Sequence, residues 1–315
     1  MQINYLFEKL GSQIQAALLD DHVTEIILNP EGKLWVVHQS QGSIEYGFMS
    51  TEHSAAFVHA LAQFRQQFLH DKKPYLDTLL PFNGERINIT TPPIVDGVSF
   101  NIRKKSKYIY TLQNYVDQKI LTAQQKAVLQ QAIVDRKNIL VSGGPGTGKT
   151  TFANALLEEM SRVVPRGHRV LLLEEVAELQ CAFANSKRLL TTDTVNMQTL
   201  LWIAMRNSPH RIVIGEVRDG AALDMLKAWN TGCPGGLATI HANSASGALQ
   251  RVIDLTLEAS HQPPYTLMRE SLHVIVQLNL SAHHPAGRCV TELSEIDSFD
   301  AKNQVFLIKN KEEAA

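Results

Sequence analysis

Apolar residues Leu6, Leu10, Ile14, Ala17 and Leu18 recur at helical spacing over residues 4–19. Beyond them, 23–28 and 33–37 read as strands around the turn Asn29-Pro30-Glu31-Gly32. A second helix is expected over 51–68, then short strands over 79–82, 85–90 and 98–103, separated by the turn signals Pro92-Pro93 and Asp96-Gly97. This pattern predicts a small mixed α/β domain over residues 1–107. The stretch 108–122 is polar and irregular and reads as a linker, with the basic run Lys104, Lys105 and Lys107 just before it. A helix is expected over 122–135. From there the apolar strands 138–142, 169–174, 211–215, 236–240 and 274–278 alternate with longer helical segments, which implies parallel strands joined by crossover helices. The second domain, 123–315, is therefore α/β, with its ligand expected at the C-terminal ends of the strands.

Composition supports two packed domains. The chain has 315 residues, 44% of them hydrophobic and 19% charged, which is long for one core and too apolar for a disordered protein. A net charge of -1 argues against a surface built to neutralise many phosphates along a nucleic acid. Cys181, Cys233 and Cys289 are far apart and lack CxxC spacing, so neither a disulfide framework nor a zinc knuckle is expected, and a reducing cytoplasm fits. No apolar run approaches the ~18 residues of a membrane span, and the N-terminus does not read as a signal peptide. Any membrane contact is expected to be peripheral.

The strongest chemical signal is Gly143-Gly144-Pro145-Gly146-Thr147-Gly148-Lys149-Thr150, a complete GxxxxGKT pattern between an expected strand and an expected helix. Glycines let backbone N–H groups wrap phosphates, and the helix N-terminus favours their charge. Lys149 can reach the β and γ phosphates, and the Thr150 hydroxyl can hold Mg²⁺. With Thr151 next in the helix, these residues are the expected ATP-binding set.

Hydrolysis needs more than phosphate binding, and the neighbouring strand ends supply candidates. One strand delivers Glu174 and Glu175; another delivers Glu216, followed by Val217 and Arg218. A carboxylate there can hold magnesium-bound water or orient the attacking water. Glu216 is favoured for the second task because its strand is expected to lie beside the P-loop strand. His241 ends a further strand, where a hydrogen bond to the γ phosphate would sense that group.

Several segments together resemble secretion-superfamily ATPases, most closely the conjugal-transfer ATPases of the TrbB type and their VirB-system relatives. They are Leu28-Asn29-Pro30-Glu31-Gly32-Lys33-Leu34-Trp35-Val36, Phe82-Asn83-Gly84-Glu85-Arg86, Phe100-Asn101-Ile102-Arg103-Lys104, the P-loop, Glu174-Glu175 with Glu178-Leu179, Gly215-Glu216-Val217-Arg218, and Leu226-Lys227-Ala228-Trp229-Asn230-Thr231-Gly232 running on to His241. The resemblance implies an N-terminal sensory-like α/β domain and a C-terminal RecA-like ATPase domain, with ATP between them. It further implies six identical chains in a ring on the cytoplasmic side of the bacterial inner membrane, serving type IV secretion machinery and its coupling protein. By the same similarity Glu174 and Glu175 form the Asp box, with a magnesium role alongside Thr150. Glu216 is the Walker B acid, His241 the His box, and Arg86 and Arg103 reach the nucleotide from the N-terminal domain. Three positions depart from the family pattern: Glu175 replaces an Asp, and Cys233 and His210 stand where close relatives often carry His and Asp.

Three other readings compete. A pilus extension or retraction motor shares the P-loop, although the paired-CxxC module common among extension motors is absent here. A RecA-like nucleic-acid motor fits the fold but not the near-neutral charge or the lack of aromatic residues interleaved with basic ones. A non-catalytic nucleotide-binding scaffold would use ATP only for ring assembly. The balance favours a hexameric ATPase powering conjugative transfer or type IV secretion, with no sequence-specific nucleic-acid binding.

Overall fold

A computed structural model describes residues 3–38, 41–104, 108–192, 194–300 and 305–310. The chain divides into two compact units, Met1–Tyr108 and Ile109–Ala315. The first contains α1 (Ile3–Lys9), α2 (Gly11–Leu19), β1 (Val23–Leu28), β2 (Lys33–His38), β3 (Gly42–Phe48), α3 (Thr51–Phe64), β4 (Tyr75–Leu79), β5 (Arg86–Thr90) and β6 (Ser99–Arg103). Its strands form one antiparallel sheet in the order β3-β2-β1-β6-β5-β4. Leu6, Leu10, Ile14, Phe57, Leu61, Ile26, Ile87 and Phe100 lie in one core between helices and sheet.

Local chemistry explains where the expected elements shift. The helix over 4–19 is broken in two at Gly11, whose φ of 78° an α-helix cannot accommodate. The helix expected over 51–68 starts on the Ser50 cap, whose hydroxyl accepts from His53 N at 3.2 Å. It ends at Phe64, two residues before Gln66 turns to φ 55°. The strand expected over 79–82 lies earlier, at β4, because Leu80 N donates to Glu85 O (2.7 Å) and closes the chain there into a turn. Of the basic run, Lys104 donates to the carbonyls of Ala17 and Asp20, while Lys105 and Lys107 lie outside the described residues.

The second unit contains α4 (Leu112–Asp117), α5 (Ala123–Val134), β7 (Ile139–Gly143), α6 (Lys149–Val163), β8 (Val170–Glu174), β9 (Ser186–Leu190), α7 (Met197–Met205), β10 (Arg211–Ile214), α8 (Ala221–Asn230), β11 (Leu237–Ile240), α9 (Ala245–Leu257), α10 (Tyr265–Ser271), β12 (Val274–Leu280), β13 (Arg288–Asp300) and β14 (Val305–Asn310). The segment 108–122, expected as a linker, carries α4. Leu112, Tyr115, Ile120 and Leu121 are buried in the second unit, and Tyr115 meets Phe152 edge-on at 5.0 Å.

The sheet order is β14-β13-β12-β7-β11-β10-β8-β9, with β12 through β9 parallel and β13 and β14 added antiparallel. Strand residues alternate between two apolar layers. Leu140, Leu171, Leu173, Ile212, Ile214, Ala238 and Ile240 pack toward α7 to α10, whereas Ile139, Val141, Val170, Leu172, Val213 and Leu237 pack toward α4 to α6. Burial on both faces is why these strands read as unbroken apolar runs. One expectation is corrected: the Glu216 strand β10 does not lie beside the P-loop strand β7, because β11 is inserted between them. No helix among the described residues is long and apolar enough to cross a membrane.

Candidate functional site

The loop from β7 to α6 has the backbone that phosphate binding needs. Gly146 and Gly148 sit at φ 73° and 92°, in the left-handed region. At Gly143 a Cβ would come within 2.6 Å of Leu278 O and of Thr147 Oγ1, so only glycine fits. Thr147 Oγ1 donates to Gly144 O at 2.9 Å and closes the loop on itself. No side chain caps α6 at Gly148, which leaves its first-turn N–H groups and the positive end of the helix dipole for an anion. Thr150 and Thr151 are in that first turn.

Lys149 is buried, and its Nζ donates to Gly144 O at 3.0 Å. The same nitrogen lies 3.2 Å from His241 Nδ1, at the end of β11. His241 Nε2 lies 2.9 Å from Glu216 Oε1, beyond β10. Glu216 Oε2 accepts from Arg218 at 2.7 Å, and Arg218 reaches Glu175 Oε2, at the end of β8, at 2.6 Å. A continuous polar chain thus crosses four adjacent strand ends: Lys149, His241, Glu216, Arg218, Glu175. Thr239 Oγ1 donates to Gly215 O (2.6 Å) and ties the β11 and β10 ends together beneath it.

The network sets the state of the histidine. An ammonium beside Nδ1 makes that nitrogen the acceptor, so the proton of the neutral ring is on Nε2 and is donated to Glu216. Burial holds the His241 pKa below the ordinary histidine value; Glu216 pulls it upward, and Lys149, Arg218 and Arg251 push it down. Arg218 is held charged, chiefly by its hydrogen bond to Glu216.

Glu174 was expected to work with Glu175, but both its oxygens are taken up by the protein. Oε1 accepts from the N–H groups of Glu178 (2.8 Å) and Leu179 (2.6 Å), and Oε2 pairs with Arg188 Nε at 2.8 Å. The side chain is 1% exposed, and burial raises its pKa despite those partners. Its geometry is that of a clamp on the turn after β8. Among the described residues no group of three or more His, Cys, Asp or Glu side chains is arranged to hold a metal.

Arg86 and Arg103 belong to the first unit, where they are register partners on β5 and β6. Arg86 binds both oxygens of Asp77, at 3.2 and 2.7 Å, while Arg103 is 61% exposed and only 3.9 Å from Glu25 Oε1. Two residues escaped the sequence reading. Arg288, on β13, donates to Thr147 O at 3.3 Å and lies against Gly148. Gln277, wholly buried on β12, donates to Ala242 O at 3.2 Å and so holds the chain just after His241. Neither sits in a motif, and only the strand order brings them to the loop.

A family model described as "Type II/IV secretion system protein" matches residues 10–303. The chain is 42% identical over 297 residues to the "Probable conjugal transfer protein TrbB" of Sinorhizobium fredii, covering 94% of this chain and 90% of that one. It is 31% identical over 302 residues to "Type IV secretion system protein PtlH" of Bordetella pertussis, covering 84% and 87%. Its fold is similar to the crystal structure of the pilus retraction motor PilT with bound ADP, with a TM-score of 0.67 at 17% identity over 94% of this chain and 84% of the other.

Proposed function

The chain belongs to the type II/IV secretion system protein family and is a nucleotide-binding ATPase of that family; from that premise we propose that it works as a homohexamer powering conjugative transfer. Similarity to TrbB along nearly the whole chain supports conjugation in particular. The likeness to PilT is one of fold alone. The proposed place of action is the cytoplasmic face of the inner membrane, in contact with type IV secretion machinery and its coupling protein.

The observation that carries the enzymatic reading is the polar chain from Lys149 to Glu175. Residues 143–151 fit a triphosphate: the positive-φ glycines, the uncapped start of α6 and the Lys149 ammonium all present positive charge or N–H groups to one place. In this reading Lys149 exchanges its bond to Gly144 O for one to a phosphate oxygen. Magnesium, when bound, would supply charge neutralisation at the phosphates. Thr150 and Glu175 are the residues proposed to hold it, Glu174 being committed to its turn.

Glu216 is proposed to orient the attacking water and receive its proton, with its carboxylate held by His241 on one side and Arg218 on the other. His241, bonded to Lys149 and Glu216 together, reports to the water-orienting acid whether Lys149 is engaged. Arg103, with Arg86 beside it, is proposed to add a guanidinium from the first unit. The test is ATPase turnover of the purified chain together with mating efficiency of a strain carrying Lys149→Ala. Loss of both supports the reading; hydrolysis without any effect of Lys149→Ala on mating would separate the enzyme from conjugation.

A further inference from the structure

The five buried side-chain nitrogen or oxygen atoms without a hydrogen-bond partner among the described residues are Arg136 Nε, His168 Nδ1, Arg211 Nε, Ser142 Oγ and Gln277 Oε1. The first three gather at one place, at the N-terminal ends of the parallel strands, the edge opposite the P-loop. Arg211 opens β10 and is 1% exposed. Its guanidinium donates to Gly235 O at 2.9 Å and Ile133 O at 3.1 Å. Arg136, just after α5, donates to His210 O (2.8 Å) and Pro234 O (3.4 Å). The His168 ring stacks on the His210 ring with centroids 4.8 Å apart and planes 14° from parallel.

Among the described residues no carboxylate is paired with these groups. Every acceptor of the two guanidiniums is a backbone carbonyl, and neither arginine is in an ion pair among the described residues. A buried guanidinium without a counter-ion is costly, and burial lowers the Arg211 pKa to about 10. His168 is likewise held below the ordinary histidine range, by burial first and then by His210, Arg136 and Arg211. The backbone is shaped around the cluster. Gly235 has φ 81°, and a Cβ there would lie 2.1 Å from Arg211 Nη1. His210 Nδ1 accepts from Arg169 N at 3.0 Å, which turns the donor face of that exposed ring away from the main chain.

We propose that Arg136, Arg211, His168 and His210 form a second anion site, at the edge of the ATPase unit opposite the P-loop, for a phosphate-class oxyanion. The two guanidiniums supply the charge and the fork geometry that a tetrahedral oxyanion takes, and the two imidazoles supply neutral ring nitrogens for hydrogen bonds. His210 is exposed and His168 and Arg136 are half-buried, so the cluster is approached from their side, while Arg211 is buried. The oxyanion is either free phosphate or a phosphate on a lipid headgroup.

Inorganic phosphate binding to the full chain is measured by calorimetry with the P-loop filled by saturating ADP, at constant ionic strength set with chloride. One phosphate per chain is expected to bind beyond the ADP-blocked site. Arg136→Gln and His210→Gln, both at the entry side and so the least disruptive to folding, are each expected to weaken it about tenfold, the scale of one lost charge-assisted hydrogen bond. Sedimentation with phosphatidylglycerol vesicles separates the sources: co-sedimentation lost in Arg136→Gln and competed by phosphate assigns a headgroup, and no co-sedimentation assigns the free ion. Unchanged phosphate binding in both variants, with melting temperatures like the parent, overturns the site. So does a parent chain that binds no phosphate once ADP is present.

Discussion

Lys149 Nζ and His241 Nδ1 lie 3.2 Å apart, so the P-loop cation donates to a ring nitrogen that must be unprotonated to accept it. Burial, with Lys149, Arg218 and Arg251, keeps the His241 pKa low enough for this, against the pull of Glu216. Protonating His241 removes the acceptor and sets two cations against each other. Turnover is therefore expected to fall on the acid side, with an apparent pKa below the ordinary histidine value of ~6.5. The folded chain also binds this proton less readily than the unfolded chain, so the stability contributed by His241 is full at neutral pH. It declines as pH falls below ~6.5 and stops declining below the folded pKa. A pH–rate profile whose acid limb survives unchanged in His241→Asn would detach the limb from this residue.

Neighbouring charges move His241 in opposite directions, which tests the network without reference to turnover. Lys149→Ala removes a cation and should raise the His241 pKa; Glu216→Gln removes the anion and should lower it further. Histidine ring resonances followed by NMR through a pH titration read both shifts. If both variants shift His241 the same way, one of the two contacts is not made in solution.

Two acids that look alike in sequence should fail differently. Glu216→Gln keeps the size of the side chain and should bind ATP while hydrolysing it roughly 10² to 10⁴ times more slowly, the usual contribution of general base catalysis. Glu174→Gln should instead act on folding. It weakens charge-assisted bonds to Leu179 N, Glu178 N and Arg188, so a loss on the order of 2 kcal/mol in stability is expected, with most turnover per folded molecule retained. Steady-state kinetics beside thermal melts decide this, and the reverse pattern would exchange the two roles.

The parallel strands and the P-loop were legible because both faces of β7, β8, β10, β11 and β12 are buried, leaving unbroken apolar runs bounded by turns. β9 was not, since Ser186-Lys187-Arg188 is exposed at the sheet edge and carries no apolar alternation; β3, also an exposed edge strand, was missed for the same reason. In the site, the residue types Lys149, Glu216 and His241 were legible but their connection was not. It depends on β11 lying between β7 and β10, and strand order is a tertiary property that periodicity does not carry. The partners of Glu174 were not legible for a related reason. A strand-end acid looks the same in sequence whether it faces a ligand or, as here, folds back onto its own turn and Arg188. Arg136 and His168 lie in two separate connections and Arg211 opens β10, so they come together only in the fold.

Arg86 and Arg103 stand directly across from each other on β5 and β6, a like-charge pairing that is unfavourable unless each cation has its own partner. Arg86 has one, the two-pronged bond to Asp77, whereas Arg103 reaches Glu25 only at 3.9 Å and is mostly solvent-exposed. Of the two, Arg103 is the guanidinium less committed to its own sheet, and it is the stronger candidate for an arginine finger. Arg103→Ala should then lower kcat by roughly 10³ or more, the low end for such fingers, with little change in melting temperature, because an exposed ion pair contributes about 1 kcal/mol at most. Arg86→Ala should cost less turnover and slightly more stability, through the lost bond to Asp77. Mixing Arg103→Ala with Lys149→Ala protein under subunit exchange assigns the chain that is served. Regained hydrolysis means that Arg103 completes a neighbour's site, since about half of the mixed junctions then join an intact loop to an intact arginine. No regain means that it serves its own chain, and a fully active Arg103→Ala protein rejects the finger outright.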